Sequence, residues 1–95
     1  GISGRTAQKV SEKMKLIGNK HQIICITHLA QIAAMADTHF AIEKKVENGK
    51  TVTKIQELSE EESVRELARI LGGAEITDTV VKSAVEMKKL AKSIR

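Results

Sequence analysis

The chain has 95 residues, 41% of them hydrophobic and 29% charged, with a net charge of +4 at neutral pH. This is one domain at most, with a modest core. Pro, Trp and Tyr are missing and Phe40 is the only aromatic residue, which excludes an aromatic platform for stacking bases. No apolar run nears the ~20 residues of a membrane-spanning helix and no secretory signal opens the chain. The lone Cys25 cannot form an internal disulfide, so a reduced, cytosolic setting without membrane attachment is expected.

The charge is uneven. Residues 1–20 carry five basic side chains against Glu12, residues 82–95 five against Glu86, and the middle is acidic. Such ends can meet DNA phosphates, but lysine on the wet face of an amphipathic helix is the commoner explanation.

In chain order, "RTAQKVSEKMKLI" (5–17) spaces Ala7, Val10, Met14 and Ile17 as one face of a helix. Ser3 or Gly4 caps its start and Gly18-Asn19 stops it. "QIICIT" (22–27) is an unbroken, β-branched run, which predicts a strand covered on both faces, as in a parallel α/β sheet. The strand that would pair with it across the preceding helix is not in these residues. After His28, "LAQIAAMA" predicts a short helix with Leu29, Ile32, Ala33 and Ala36 on one side. "THFAIEKKV" and "TVTKIQEL" flank Asn48-Gly49, a strong hairpin signal. Val52 and Ile55 break the alternation of the second arm, which predicts a bulge or a mixed face. "SEEESVRELARILGG" is a helix with a Ser59–Glu62 capping box, an apolar face of Val64, Leu67, Ala68 and Leu71, and a Gly72-Gly73 stop. A last helix, 78–94, places Val81, Ala84, Val85, Lys88 and Ala91 on one stripe.

Several residues invite chemistry. Gly49-Lys50-Thr51 mimics the tail of a phosphate-binding P-loop, but the motif needs glycine where Lys44 stands, and a turn between two strands is the wrong place for it. His21, His28, His39 and Cys25 match no zinc spacing, so no metal site is assigned. Cys25 within a buried strand would have its access closed and its thiol pushed up. His28 stands where a strand ends, and ligands of open α/β sheets gather at the carboxyl ends of strands. An imidazole there can donate to a phosphate oxygen, with Thr27 holding the turn. A polar residue that merely caps the strand is the plain alternative. "GISGR" sets Gly1 and Gly4 just ahead of a helix, where backbone N–H groups can approach a phosphate or a partner chain; a simple corner is the plain reading there too.

Taken together, "GISGRTAQKVSEKM", "QIICITHLAQIAAMADTHFAIEKKVENGKTVTKIQEL" and "EESVRELARILGGAEIT" resemble, in order and spacing, the RecN family. That family comprises bacterial double-strand-break repair proteins related to the SMC group of ABC-type ATPases. The resemblance covers essentially the whole chain. It implies an α/β fold that is the C-terminal fragment of a P-loop NTPase head, residues 1–95 beginning just after the acidic Walker B strand. It makes His28 the switch histidine of the H-loop, which contacts the γ-phosphate of ATP, with Thr27, Leu29 and Gln31 in the same motif. Gly1, Ile2, Ser3 and Gly4 resemble the end of the D-loop, which lies across the interface when two heads associate. Ala30 stands where the family usually has proline, and Ser3 where other ABC proteins have aspartate.

The resemblance also implies what lies elsewhere. The P-loop, Q-loop, signature and Walker B acids are outside these residues, so ATP and Mg2+ belong to the whole protein and the fragment alone is expected to be inactive. Left without neighbours, strand 22–27 is expected to drive dimerisation or swapping. DNA is the partner of the whole protein. Two other readings stay open. One is a small basic nucleic-acid-binding module using the lysines of 5–17 and 78–94 without nucleotide chemistry, against which the lack of a reading motif counts. The other is a head fragment of a related SMC-like ATPase.

Overall fold

The structure, a computed structural model, describes residues 3–94. Its elements run α1 (Gly4–Gly18), α2 (Ala30–Ala34), β1 (Phe40–Glu47), β2 (Lys50–Glu57), α3 (Glu60–Gly72) and α4 (Asp78–Lys92). This is a mixed helix and strand architecture, and the two strands form a single antiparallel sheet.

Helix α1 starts where Ser3 Oγ accepts the Thr6 N–H at 3.2 Å. Its buried residues are Ala7 and Ser11, the Ser11 hydroxyl turning back to the Gln8 carbonyl at 2.6 Å. The Ala7–Val10–Met14–Ile17 stripe is therefore only partly the buried face, since Val10 and Ile17 stay exposed. The neighbour of α1 is the five-residue α2, and small side chains such as Ala7 and Ser11 let so short a helix come close.

Residues 22–27 depart from expectation. They form no strand and lie in no sheet, and Ile24 and Ile26 are 85% and 84% exposed. The fold is accordingly not helix–buried strand–helix in this region. A strand draws its hydrogen bonds from a neighbour, and among the described residues the only sheet is the hairpin that β1 and β2 complete by themselves. Cys25 is likewise exposed rather than enclosed, so its predicted burial does not hold.

The hairpin forms as read, in a continuous register from Phe40↔Glu57 to Glu47↔Lys50. Asn48 and Gly49 have φ of 51° and 75°, the left-handed pair that a two-residue primed turn requires. No bulge occurs, and the mixed-face alternative holds instead. Phe40, Ile42, Val46 and Ile55 share one face with Lys44, Thr51 and Thr53, while Val52 joins Glu43, Lys45, Glu47 and Lys54 on the other. That second face carries the ion pairs Lys45–Glu43 (3.6 Å) and Lys54–Glu47 (3.4 Å). Neither strand packs against a helix.

The core lies where α2 meets α3 and α4. Ala30, Ala33 and Ala34 of α2 meet Leu67 and Ala68 of α3 and Ala84 of α4, with Val64, Val80, Val81 and Met87 around them. Helix α3 is capped as written, Ser59 and Glu62 closing the reciprocal box, and at the start of α4 Thr77 Oγ1 accepts the Val80 N–H at 3.2 Å. With the hairpin standing away from this body, the radius of gyration is 14.3 Å, above the about 12 Å of a compact chain this long.

Candidate functional site

The segment leading to His28 is held at its end by a side chain. Thr27 Oγ1 accepts the Leu29 N–H at 3.0 Å, a local side-chain turn just ahead of α2, whose N-cap residue Leu29 makes no side-chain cap. His28 sits in this turn with its side chain exposed. Ala30, the first helical residue, is buried in the core, so packing fixes the helix at a position where proline would also be at home.

Three residues on, Gln31 reaches α1: its Nε2 lies 3.3 Å from where a Cβ on Gly4 would stand. The fold thus places two separated candidate segments side by side, the 27–31 turn and the start of α1. Ser3 is engaged as the cap of α1, with its hydroxyl also 3.0 Å from Thr6 Oγ1. Gly1 and Ile2 lie outside the described residues. Lys15 pairs with the largely exposed Asp37 beyond α2, a link of small energetic weight.

A second polar grouping has no counterpart in the sequence reading. His39, at the base of the hairpin, places Nδ1 2.7 Å from Ser63 Oγ on α3. Lys88 on α4 donates to the same oxygen at 2.7 Å and pairs with Glu60 at 3.1 Å, which also meets Lys92 at 3.7 Å. Ser63 and Lys88 are buried. Burial, and then the Lys88 ammonium, hold the His39 imidazole below its ordinary 6.5, with Glu66 opposing. The hydrogen bond from Lys88 is the main reason Glu60 titrates below its usual value. The signal for this cluster was present: Lys88 stands in an apolar stripe, and Ser63 precedes Leu67 by one helical turn.

These pairings also bear on the basic helices. Lys15, Lys88 and Lys92 are each engaged by a carboxylate within the chain, which subtracts from a free phosphate-binding surface. Among the described residues no helix is long and apolar enough to cross a membrane.

The architecture defines a mixed α/β segment that presents an exposed histidine at the entry to a short helix. Over all 95 residues the chain is 43% identical to the DNA repair protein RecN of Bacillus subtilis and 45% identical to that of Halalkalibacterium halodurans. It is 42% identical over 90 residues to the DNA repair protein RecN of Haemophilus influenzae. No protein-family model matches. The chain belongs to the RecN family, and it spans 16–17% of the length of these three relatives.

Proposed function

We propose that this chain is the C-terminal part of the ATPase head of a DNA repair protein, to which it contributes the histidine that contacts the γ-phosphate. The relatives' role in DNA repair supports the first half of this reading. The observation that carries the second half is the pairing of the 27–31 turn with the start of α1 through Gln31 and Gly4. That pairing gathers at one place the two segments whose residues resemble the H-loop and the D-loop.

The side chains fit a limited share of such a site. His28 is exposed and free to donate one hydrogen bond to a phosphate oxygen, while the Thr27 hydroxyl is committed to the Leu29 N–H and fixes the turn from which the imidazole projects. Among the described residues no three His, Cys, Asp or Glu side chains converge as metal ligands. In this reading the chain contributes the histidine, and Mg2+ and the phosphate cradle belong to other parts of the whole protein. ATP supplies the phosphoanhydride that is cleaved; this chain's part is to orient and stabilise the terminal phosphate as charge develops there. Ser3 and Gly4, beside Gln31, would then carry contact between two heads, and DNA is the partner of the assembled protein.

The test is ATP turnover by a full-length RecN protein carrying this segment, with and without His28→Ala. Loss of one donor acting in the transition state should lower kcat by roughly 10²–10³-fold, with unfolding unchanged because the side chain is exposed. Unaltered turnover would make His28 a turn residue and leave the family relationship without this role.

A further inference from the structure

The hairpin is joined to the body at a narrow neck. Its strands touch no helix, and at its base the Leu58 N–H donates to the His39 carbonyl at 2.8 Å while the His39 side chain reaches Ser63. Among the described residues His39 thus makes the side-chain hydrogen bond that ties the hairpin base to α3, at an oxygen that Lys88 of α4 also binds.

The protons at this junction can be assigned by counting donors. The Lys88 ammonium only donates, so Ser63 Oγ accepts from it. Ser63 has one proton of its own. Among the described residues the only acceptor its hydroxyl reaches is His39 Nδ1, whereas Ser11 and Ser93 each donate to a backbone carbonyl. The arrangement that leaves no donor at this junction unpaired has a lone pair on Nδ1, a neutral imidazole with its proton on Nε2.

We propose that His39 is a proton-operated latch: neutral, it closes the neck between the hairpin and the α3–α4 pair, and protonation at Nδ1 opens it. A proton taken up from solvent converts Nδ1 from acceptor to donor, so the Ser63 hydroxyl loses its acceptor. The new imidazolium also lies beside an oxygen already bound to a cation. From α3, His39 faces Ser63 and the Glu66 carboxylate; from α4 it faces the Lys88 ammonium, which Glu60 holds in place and Lys92 supports. Glu66 favours the charged ring, but burial and Lys88 outweigh it, in that order. The sign follows: with the folded value below the unfolded 6.5, the contribution to stability is complete above about 6.5. It is lost as pH falls through the folded value.

The deciding experiment is an NMR titration of the 95-residue chain from pH 8 to pH 4.5. It would follow the imidazole nitrogens, hairpin residual dipolar couplings and exchange protection of the Leu58 amide. The latch requires His39 to be the Nε2–H tautomer at pH 8 and to titrate below 6.5. Hairpin couplings should change at that same midpoint, with Leu58 protection falling by about three- to tenfold, the scale of one net hydrogen bond. In His39→Asn, whose Oδ1 accepts the Ser63 proton and does not titrate, this step should vanish. An Nδ1–H tautomer, a midpoint at or above 6.5, or hairpin couplings indifferent to the titration would each overturn the proposal. Should the variant fail to fold, the tautomer and the coupled midpoint of the unaltered chain decide alone.

Discussion

Two stretches of this molecule both read as strands in the sequence and end differently. Residues 40–57 form a regular hairpin, whereas residues 22–27 form no strand and leave Ile24 and Ile26 in solvent. The hairpin contains both halves of its own ladder and an Asn-Gly turn that sets the register. The "QIICIT" segment has high strand propensity and, among the described residues, no strand beside it to hydrogen-bond. Propensity names a segment's preferred partner state; only topology supplies the partner. Continuous apolarity thus reads as a demand, and in this chain of about one sixth of its relatives' length the demand is not met.

The largest effect that would test this contrast lies in the body. Leu67, fully buried between α2, α3 and α4, should cost about 2–5 kcal/mol when changed to Ala, measured by urea unfolding. A cost under 1 kcal/mol would mean that the alanine-rich interface does not hold the fold. Next comes the hairpin's self-sufficiency: Gly49→Ala, at φ 75°, should cost about 1–2 kcal/mol, read from hairpin amide exchange, while α3 and α4 keep their protection. Ser59→Ala removes one arm of the capping box and should cost about 1 kcal/mol by thermal unfolding. Smallest are Ile24→Lys and Ile26→Lys, which should leave unfolding within about 0.5 kcal/mol of the parent because both side chains are exposed. The same substitutions should abolish any concentration-dependent rise in sedimentation mass, since an unpaired β-branched segment is what would recruit a second copy. If they destabilise the monomer instead, the segment is packed and the contrast fails.

Acid offers a graded version of the same comparison. His39 and Glu60 both sit below their ordinary values, so both bind more protons when unfolded. Stability should decline as pH falls from about 6.5 through the His39 step, then again below about 4.5 as Glu60 is protonated. Because Glu60 is largely exposed, its step should be the weaker. Lys88→Met, which keeps the apolar stem and removes the shared cation, should flatten the Glu60 step most and reduce the His39 step, whose first cause is burial.

Much of the fold was legible because it is written locally. Helix α1, the Asn48-Gly49 turn, the Ser59–Glu62 box and the start of α4 near Thr77 all depend on residues within four positions of one another. The candidate site was legible only in part. The 27–31 turn could be located by its motif, but its contact with Gly4 depends on how α1 and α2 pack. The His39–Ser63–Lys88 cluster was hidden for the same reason: its members lie 24 and 25 positions apart. His39 read as one of three unmatched histidines and Lys88 as an oddity in an apolar stripe. The alternation of the second hairpin arm, which offered a bulge or a mixed face, was settled by the continuous register. The segment 22–27 was misread because a strand is a relation between two segments, and the pattern of one cannot report the absence of the other.

The interior of this chain has a consequence for how its variants would be surveyed. Five of the six residues at the centre of the core, Ala30, Ala33, Ala34, Ala68 and Ala84, are already alanine. A truncation scan would pass over these five in silence and register the centre of the helical junction through Leu67 alone. The constraint there runs the other way, against growth: a methyl-sized slot rejects Val or Leu by forcing the helices apart. A library of enlarging substitutions would show the junction as the least permissive part of the molecule.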